Sequence, residues 1–264
     1  MSYQYVHGHH ASVLVGHSWR TVDNSARYLV PHIQADAHIL DVGCGPGTLT
    51  ADLAALCPRG IVMGIDSSAE VVQVAQQTCP KASNLSFEVG DAYSLRFPDA
   101  TFDITHAHQV LQHIADPVLL LREMARVTRL DGIIAVRDSD YSAKKWTPEH
   151  ESLSRWLEIY RIIARCCGGE PDAGQYLTSW ADSAGLHVIS ASTSQWVFDT
   201  PEDVTWWGRM WAERVVQSNF ATNAIKFGVA TIAELEDLRN GWLDWSSREN
   251  AQFIVHHGEV IATH

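Results

Sequence analysis

The chain has 264 residues, 46% hydrophobic and 19% charged, with 19 basic and 31 acidic side chains and a net charge of −12. This is enough for one doubly wound unit of about 150 residues plus an addition, and the ordinary globular composition excludes a disordered chain. No Lys/Arg cluster is present to follow a phosphate backbone, which argues against nucleic acid. No apolar run reaches spanning length, and residues 1–10 are polar where a signal peptide is apolar, so no membrane association is expected and the cytoplasm is the expected location.

Cys44, Cys57, Cys79, Cys166 and Cys167 form an odd set without a C-x-x-C pair and read as reduced thiols. The 14 histidines include no H-E-x-x-H, and no metal is expected.

Along the chain, residues 1–30 read as an N-terminal segment. It carries Tyr3, Tyr5 and Trp19 and a helix predicted over 21–29. Two readings stay open: a flap that lays an aromatic ring against a bound ligand, or a helix packed on a sheet edge. Ile39-Leu40-Asp41-Val42 then runs into Gly43, Gly45 and Gly47, and from Thr48 the apolar spacing becomes helical. This is a buried strand, a tight turn that lets a ligand approach the backbone, and a helix. A dinucleotide fingerprint needs its third glycine at position 48; here it comes one residue early, which disfavours a nicotinamide oxidoreductase.

A second strand over 61–65 ends at Asp66, followed by Ser67-Ser68-Ala69-Glu70, read as a capping box with Ser67 as cap. A third over 85–89 ends in Gly90-Asp91-Ala92. An acid at the tip of strand two suits ribose hydroxyls, and one at the tip of strand three suits an exocyclic adenine amine. A fourth strand and its loop occupy 102–113. Asp116-Pro117 starts a helix expected over 118–129, and Ile133–Arg137 forms a fifth strand after a turn at Arg129–Gly132. Alternating strands and helices specify an α/β fold with helices on both faces of a parallel sheet.

Leu40-Asp41-Val42-Gly43-Cys44-Gly45-Pro46-Gly47, Gly90-Asp91-Ala92, Phe97-Pro98-Asp99 with Phe102-Asp103, Leu111-Gln112-His113 with Asp116-Pro117, and Glu123–Val127 resemble the class I S-adenosylmethionine-dependent methyltransferases, within them the ubiquinone/menaquinone-biosynthesis branch. The resemblance covers residues 38–138. It implies a Rossmann-like, doubly wound seven-stranded sheet of order 3-2-1-4-5-7-6 with the last strand antiparallel. It also implies a cofactor, S-adenosyl-L-methionine, leaving as S-adenosyl-L-homocysteine. The residues expected around that cofactor are Tyr5, Arg20, Asp41, Gly43, Cys44, Gly45, Asp66, Ser67, Gly90, Asp91, Ala92, His106 and Gln109. Relatives carry Lys-Pro-Gly-Gly where this chain has Arg129-Leu130-Asp131-Gly132, a change confined to a turn.

The expected organisation is a single methyltransferase domain, with residues 31–140 as the cofactor-binding core and 141–264 as substrate-side helices, lid and last two strands. Thr147-Pro148 is expected to open a helix, another runs over 175–183, and 187–192 forms strand six. The family's seventh strand is postponed. Helices beginning at Thr200-Pro201 and Thr231-Ile232, bearing Trp206, Trp207, Trp211, Trp242 and Trp245, intervene before a strand at 251–262. For any one Trp, core packing is the expected role; collectively they suggest a lid over the transferable methyl.

Methyl transfer needs alignment first and a base second. His113 with Asp138, followed by His108, are the candidate catalytic groups, because a neighbouring sulfonium keeps a histidine neutral. The expected acceptor is a small, largely apolar or aromatic metabolite offering O, C, N or S. A protein that binds the cofactor without turnover is the alternative, and the quaternary state is expected to be monomer or homodimer.

Overall fold

The computed structural model describes residues 16–264. Seven strands form one sheet: β1 (His38–Val42), β2 (Ile61–Asp66), β3 (Leu85–Val89), β4 (Phe102–His108), β5 (Thr128–Thr147), β6 (His187–Phe198) and β7 (Gln252–Thr263). Their order is β3-β2-β1-β4-β5-β7-β6, as the resemblance implied. β1 to β5 pair in parallel, and β7 runs antiparallel to both β5 and β6. The order reverses between β1 and β4, so the turns after these two strands border one crevice.

Helices α1 (Val22–Ser25), α2 (Thr48–Leu56), α3 (Ala69–Thr78), α4 (Pro117–Val127), α5 (Glu151–Cys166) and α6 (Leu177–Ala184) precede or connect the first six strands. α7 (Pro201–Gln217), α8 (Asn219–Lys226) and α9 (Ile232–Ser246) form the insertion between β6 and β7. Thr200 and Thr231 cap α7 and α9 as expected, accepting from the amides of Asp203 and Glu234. The short α8, capped by Ser218, was not anticipated.

Several boundaries differ from expectation. The N-terminal helix keeps its Thr21 cap but ends at Ser25, and a 3-10 turn at Val30–His32, with Pro31 inside it, follows. Ser68, not Ser67, caps α3: the Asp66 carboxylate accepts the Ser68 amide and moves the helix start by one residue. Residues Arg129–Gly132 form no turn. They belong to β5, where a Cβ on Gly132 would lie 2.7 Å from the Asp103 carbonyl, so the glycine serves close strand approach. β5 also continues past Arg137 because β7 offers partners out to Thr147↔Gln252. Thr147 therefore ends a strand, and α5 starts later with His150 as its cap.

Apolar packing falls into separate clusters. One lies between the sheet and α4 and α6, centred on Leu40, Val42, Leu121 and Val136. The largest gathers the aromatic residues of α5, the insertion and β7. There Trp156 meets Trp211 at 4.5 Å and Trp242 at 4.9 Å, both edge-on, and Phe253 lies beneath. Among the described residues, no helix is long and apolar enough to cross a membrane.

Candidate active site

The glycine turn is held by its backbone. The Gly43 and Cys44 amides both donate to the Ile65 carbonyl, at 2.8 and 2.9 Å. The Gly45 amide donates to Asp66 Oδ2 at 3.1 Å, while Asp66 Oδ1 accepts the Ser68 amide at 3.0 Å. One carboxylate thus joins the turn, the tip of β2 and the start of α3. Gly43, Gly45 and Gly47 have φ of 72°, 56° and 83°, the left-handed region that glycine occupies without strain. A Cβ on Gly43 would strike Val110, whereas one on Gly45 would meet, among the described residues, nothing nearer than His17 Nδ1 at 3.9 Å. The turn therefore presents bare backbone beside Gly45.

Further along this edge the Gly90 amide donates to the Asp66 carbonyl, Asp91 is exposed and accepts the Tyr93 amide, Ala92 is half-buried and Ser67 is exposed. Asp41 and His106 lie beneath. Asp41 Oδ1 accepts from His106 Nδ1 at 2.8 Å and Oδ2 from Thr50 Oγ1 at 2.6 Å, with both partners buried. His106 thus braces Asp41 from below the turn. The Cys44 side chain is also buried, and burial together with the Asp41 and Asp66 charges pushes its thiol well above the usual range, leaving an inert packing group. Tyr5 falls outside the described residues.

Beside the turn lies a cavity lined by His17, Arg20, Gln109, Gln112 and His113, by Tyr141 and Lys144 of β5, Trp196 of β6, Val255 of β7, and Trp207, Trp211 and Arg214 of α7. Arg20 donates to Gln109 Oε1 at 2.5 Å. With that oxygen engaged, Gln109 Nε2 is the donor to His257 Nε2 at 2.9 Å, which fixes His257 as an acceptor there. Burial pushes the His257 pKa well down, keeping the ring neutral.

Residues 33–185 match the Methyltransferase domain family. This chain is a member of that family. An uncharacterized methyltransferase of Schizosaccharomyces pombe is 32% identical over 272 residues, covering 97% of this chain and 95% of the relative. A solved methyltransferase-fold protein of Bacillus halodurans superposes with a TM-score of 0.58 at 16% identity, covering 89% of this chain and 96% of its own. A solved geranyl diphosphate methyltransferase in complex with S-adenosylmethionine does so with a TM-score of 0.52 at 16% identity, covering 90% and 83%. At these identities the two structures show a shared fold.

Within this methyltransferase, Asp138 does not orient His113. It is fully buried and accepts the amides of Leu111 and Gln112, at 3.3 and 3.1 Å, pinning the 3-10 turn that presents His113. Burial raises its pKa to about 7. Among the described residues, His113 is hydrogen-bonded to Gln112. Ser139 Oγ donates to Gln112 Oε1, leaving Gln112 Nε2 to donate to His113 Nε2 at 3.1 Å. Burial, then the Arg20 charge, lowers the His113 pKa to about 3. His108 sits behind the cavity wall with its ring 5.8 Å from Trp196, and neither ring nitrogen has a hydrogen-bond partner among the described residues. Burial and the Arg20 and Arg137 charges hold it neutral. Lys144, Arg214 and Gln112 were not singled out from sequence, because nothing in the local pattern marks a lysine on a polar strand as buried.

Proposed function

We propose that this protein transfers a methyl group from S-adenosyl-L-methionine to a small, largely apolar or aromatic metabolite, releasing S-adenosyl-L-homocysteine. The observation that carries this reading is the glycine turn, bare at Gly45 and fastened by Asp66, opening beside a cavity walled by four aromatic side chains. The cofactor-bound geranyl diphosphate methyltransferase of the same fold supports it. The backbone from Gly43 to Gly45, the carboxylates of Asp66 and Asp91, and the Gly90–Ala92 turn are the groups that would hold the nucleoside. Arg20 and Gln109 border the cavity side. When bound, the sulfonium supplies a methyl carbon already activated for displacement.

What this chain then has to provide is mainly alignment in a dry pocket. Orientation is worth roughly 7–11 kcal/mol, against a general base's 10²–10⁴-fold, on the order of 3–5 kcal/mol. Trp196, Trp207 and Trp211 line the cavity and would make it apolar and poor in water. His113 borders the cavity as a neutral ring able to take a proton, although its Nε2 must first leave Gln112. His108 is a neutral reserve behind the wall, and Asp138 is a positioning group. The motifs shared with the quinone-biosynthesis branch favour an oxygen or carbon acceptor, and the net charge of −12 favours a small molecule over nucleic acid.

The test incubates the protein with methyl-labelled S-adenosylmethionine and a small-molecule extract of its source cells, followed by mass spectrometry. A labelled product that disappears with Asp66→Ala is expected. Extract-independent label on the protein alone, or equal product from the variant, would contradict the assignment.

A further inference from the structure

The two edges of the sheet are built differently. β3 closes one side with five residues, of which the charged Glu88 is exposed. β6 closes the other with 12 residues, His187–Phe198, and they include no Asp, Glu, Lys, Arg or Pro. An edge strand carries a row of main-chain N–H and C=O groups that another strand can take up; short length, charge or proline ordinarily prevents this. The bulge at Val188/Ser190 is such a guard, but it lies at the start of β6.

The inner side of β6 is held firmly. It pairs with β7 from His187↔Thr263 to Phe198↔Phe253, and the Ser192 and Ser194 hydroxyls donate to Glu259. Its outer side is open: among the described residues no strand pairs with it, and residues Ile189 to Thr193, Gln195 and Val197 are all exposed. Successive side chains point to opposite faces, so the middle of the strand is uncovered on both.

The chemistry of this edge indicates its occupant. Ser190, Ala191, Ser192 and Thr193 are small and form no pocket for the side chains of a foreign peptide, so recognition there rests on the main chain. Copies of a chain with a net charge of −12 repel one another, and a strand without charge is where two of them can meet. A two-fold axis through the middle of β6 would lay the start of one strand against the end of the other. The ends differ in charge. Near the start stand exposed His187 and Arg122, whose guanidinium donates to the Ser183 carbonyl at 2.8 Å, with Asp182 as the opposing acid. After the end come Asp199, Glu202 and Asp203, ahead of any Lys or Arg. Antiparallel pairing brings the basic groups of each copy towards the acids of the other.

We propose that β6 is a self-association edge, at which two copies of this chain pair β6 to β6, antiparallel about a two-fold axis, and join their sheets into one. Full overlap would form about twelve main-chain hydrogen bonds, two for every second residue pair. Trp196 of the cavity stands on β6, so the pairing would also back the strand that carries it. The proposal is independent of the methyltransferase reading.

Sedimentation equilibrium of the full chain across the micromolar range, with amide hydrogen exchange followed at both ends of that range, tests it. A species of twice the chain mass is expected, with β6 amides exchanging at least tenfold more slowly where that species is populated. Ala191→Lys combined with Thr193→Lys sets like charges across the axis and should raise the dimer dissociation constant at least tenfold, with an unchanged circular dichroism spectrum. Arg122→Glu should weaken the dimer at least threefold, and adding Asp199→Lys should restore it. A wild type of one-chain mass throughout would overturn the proposal and leave the edge to an extended peptide of another protein. A dimer with unprotected β6 amides, or one that the two lysines leave intact, would place the interface elsewhere and overturn it equally. An unchanged dissociation constant in Arg122→Glu would contradict the antiparallel arrangement. Wild-type mass and exchange decide the matter even if the lysine variant does not fold.

Discussion

Along the β3-β2-β1 edge, shape is held by backbone. Amides of Gly43, Cys44, Gly45, Ser68 and Gly90 converge on Ile65 and Asp66, and the side chains there are small, half-buried or exposed. On the β5-β7-β6 side and in the insertion, shape is held by side chains, with Trp156, Trp211, Trp242 and Phe253 in mutual ring contact. A backbone cradle can accept one ligand through features common to many chains, whereas a side-chain cavity can be rebuilt residue by residue. On the function proposed above, the first region would take the cofactor and the second would choose the acceptor.

Breaking the aromatic cluster should have the largest effect on folding. Trp156→Ala removes a fully buried ring and is expected to cost about 3–5 kcal/mol in urea denaturation. The folded fraction should still bind S-adenosylhomocysteine, and a stability loss below about 1 kcal/mol would show that the cluster is not the core of that region. Asp66→Ala should do the reverse. It removes the acceptor for two backbone amides, and a loss of about 1.5–3 kcal/mol in binding corresponds to roughly tenfold to a hundredfold weaker S-adenosylhomocysteine affinity. Its effect on unfolding should be the smaller one.

The junction of the two regions has its own signature in pH. His113, held near 3 against an ordinary 6.5, is neutral in the fold, so its contribution is complete above pH 6.5 and is lost as pH falls towards 3. Asp138, raised to about 7 from 3.8, is protonated in the fold, so its contribution is complete below about pH 4 and is lost as pH rises towards 7. The two slopes oppose each other between pH 4 and 6.5. Comparing urea midpoints at pH 4.5 and 6.5, His113→Gln should reduce the rise in stability with pH and Asp138→Asn should steepen it. Unchanged slopes would contradict the burial of these groups. The smallest effect belongs to a cap: Thr231→Ala should destabilise by about 1 kcal/mol without changing S-adenosylhomocysteine affinity.

The same contrast explains what the sequence revealed. Gly43, Gly45, Gly47, Asp66 and Asp91 were legible because a tight turn and strand tips impose residue types locally, and Thr200 and Thr231 because caps do the same. The length of β5 was not, since residues 138–147 are polar and become strand only by pairing with β7, more than a hundred positions away. Asp138 was legible as a candidate group grouped with His113, while its hydrogen bonds to the Leu111 and Gln112 amides were not. Lys144 and Arg214 carried no local mark at all, because their burial depends on α5 and α7 packing against β5 and β7.

The central claim is that the glycine turn binds the methyl donor. Calorimetric titration of S-adenosylhomocysteine, with NADH as competitor, into the wild type and Gly45→Val tests it most directly. Gly45 has φ of 56° and an open face, so a valine there both strains the turn and fills the approach. One-to-one binding that NADH does not displace, and that Gly45→Val abolishes while remaining folded, is the predicted result. A folded wild-type protein that does not bind S-adenosylhomocysteine, or a Gly45→Val protein that binds it as tightly, would contradict the account.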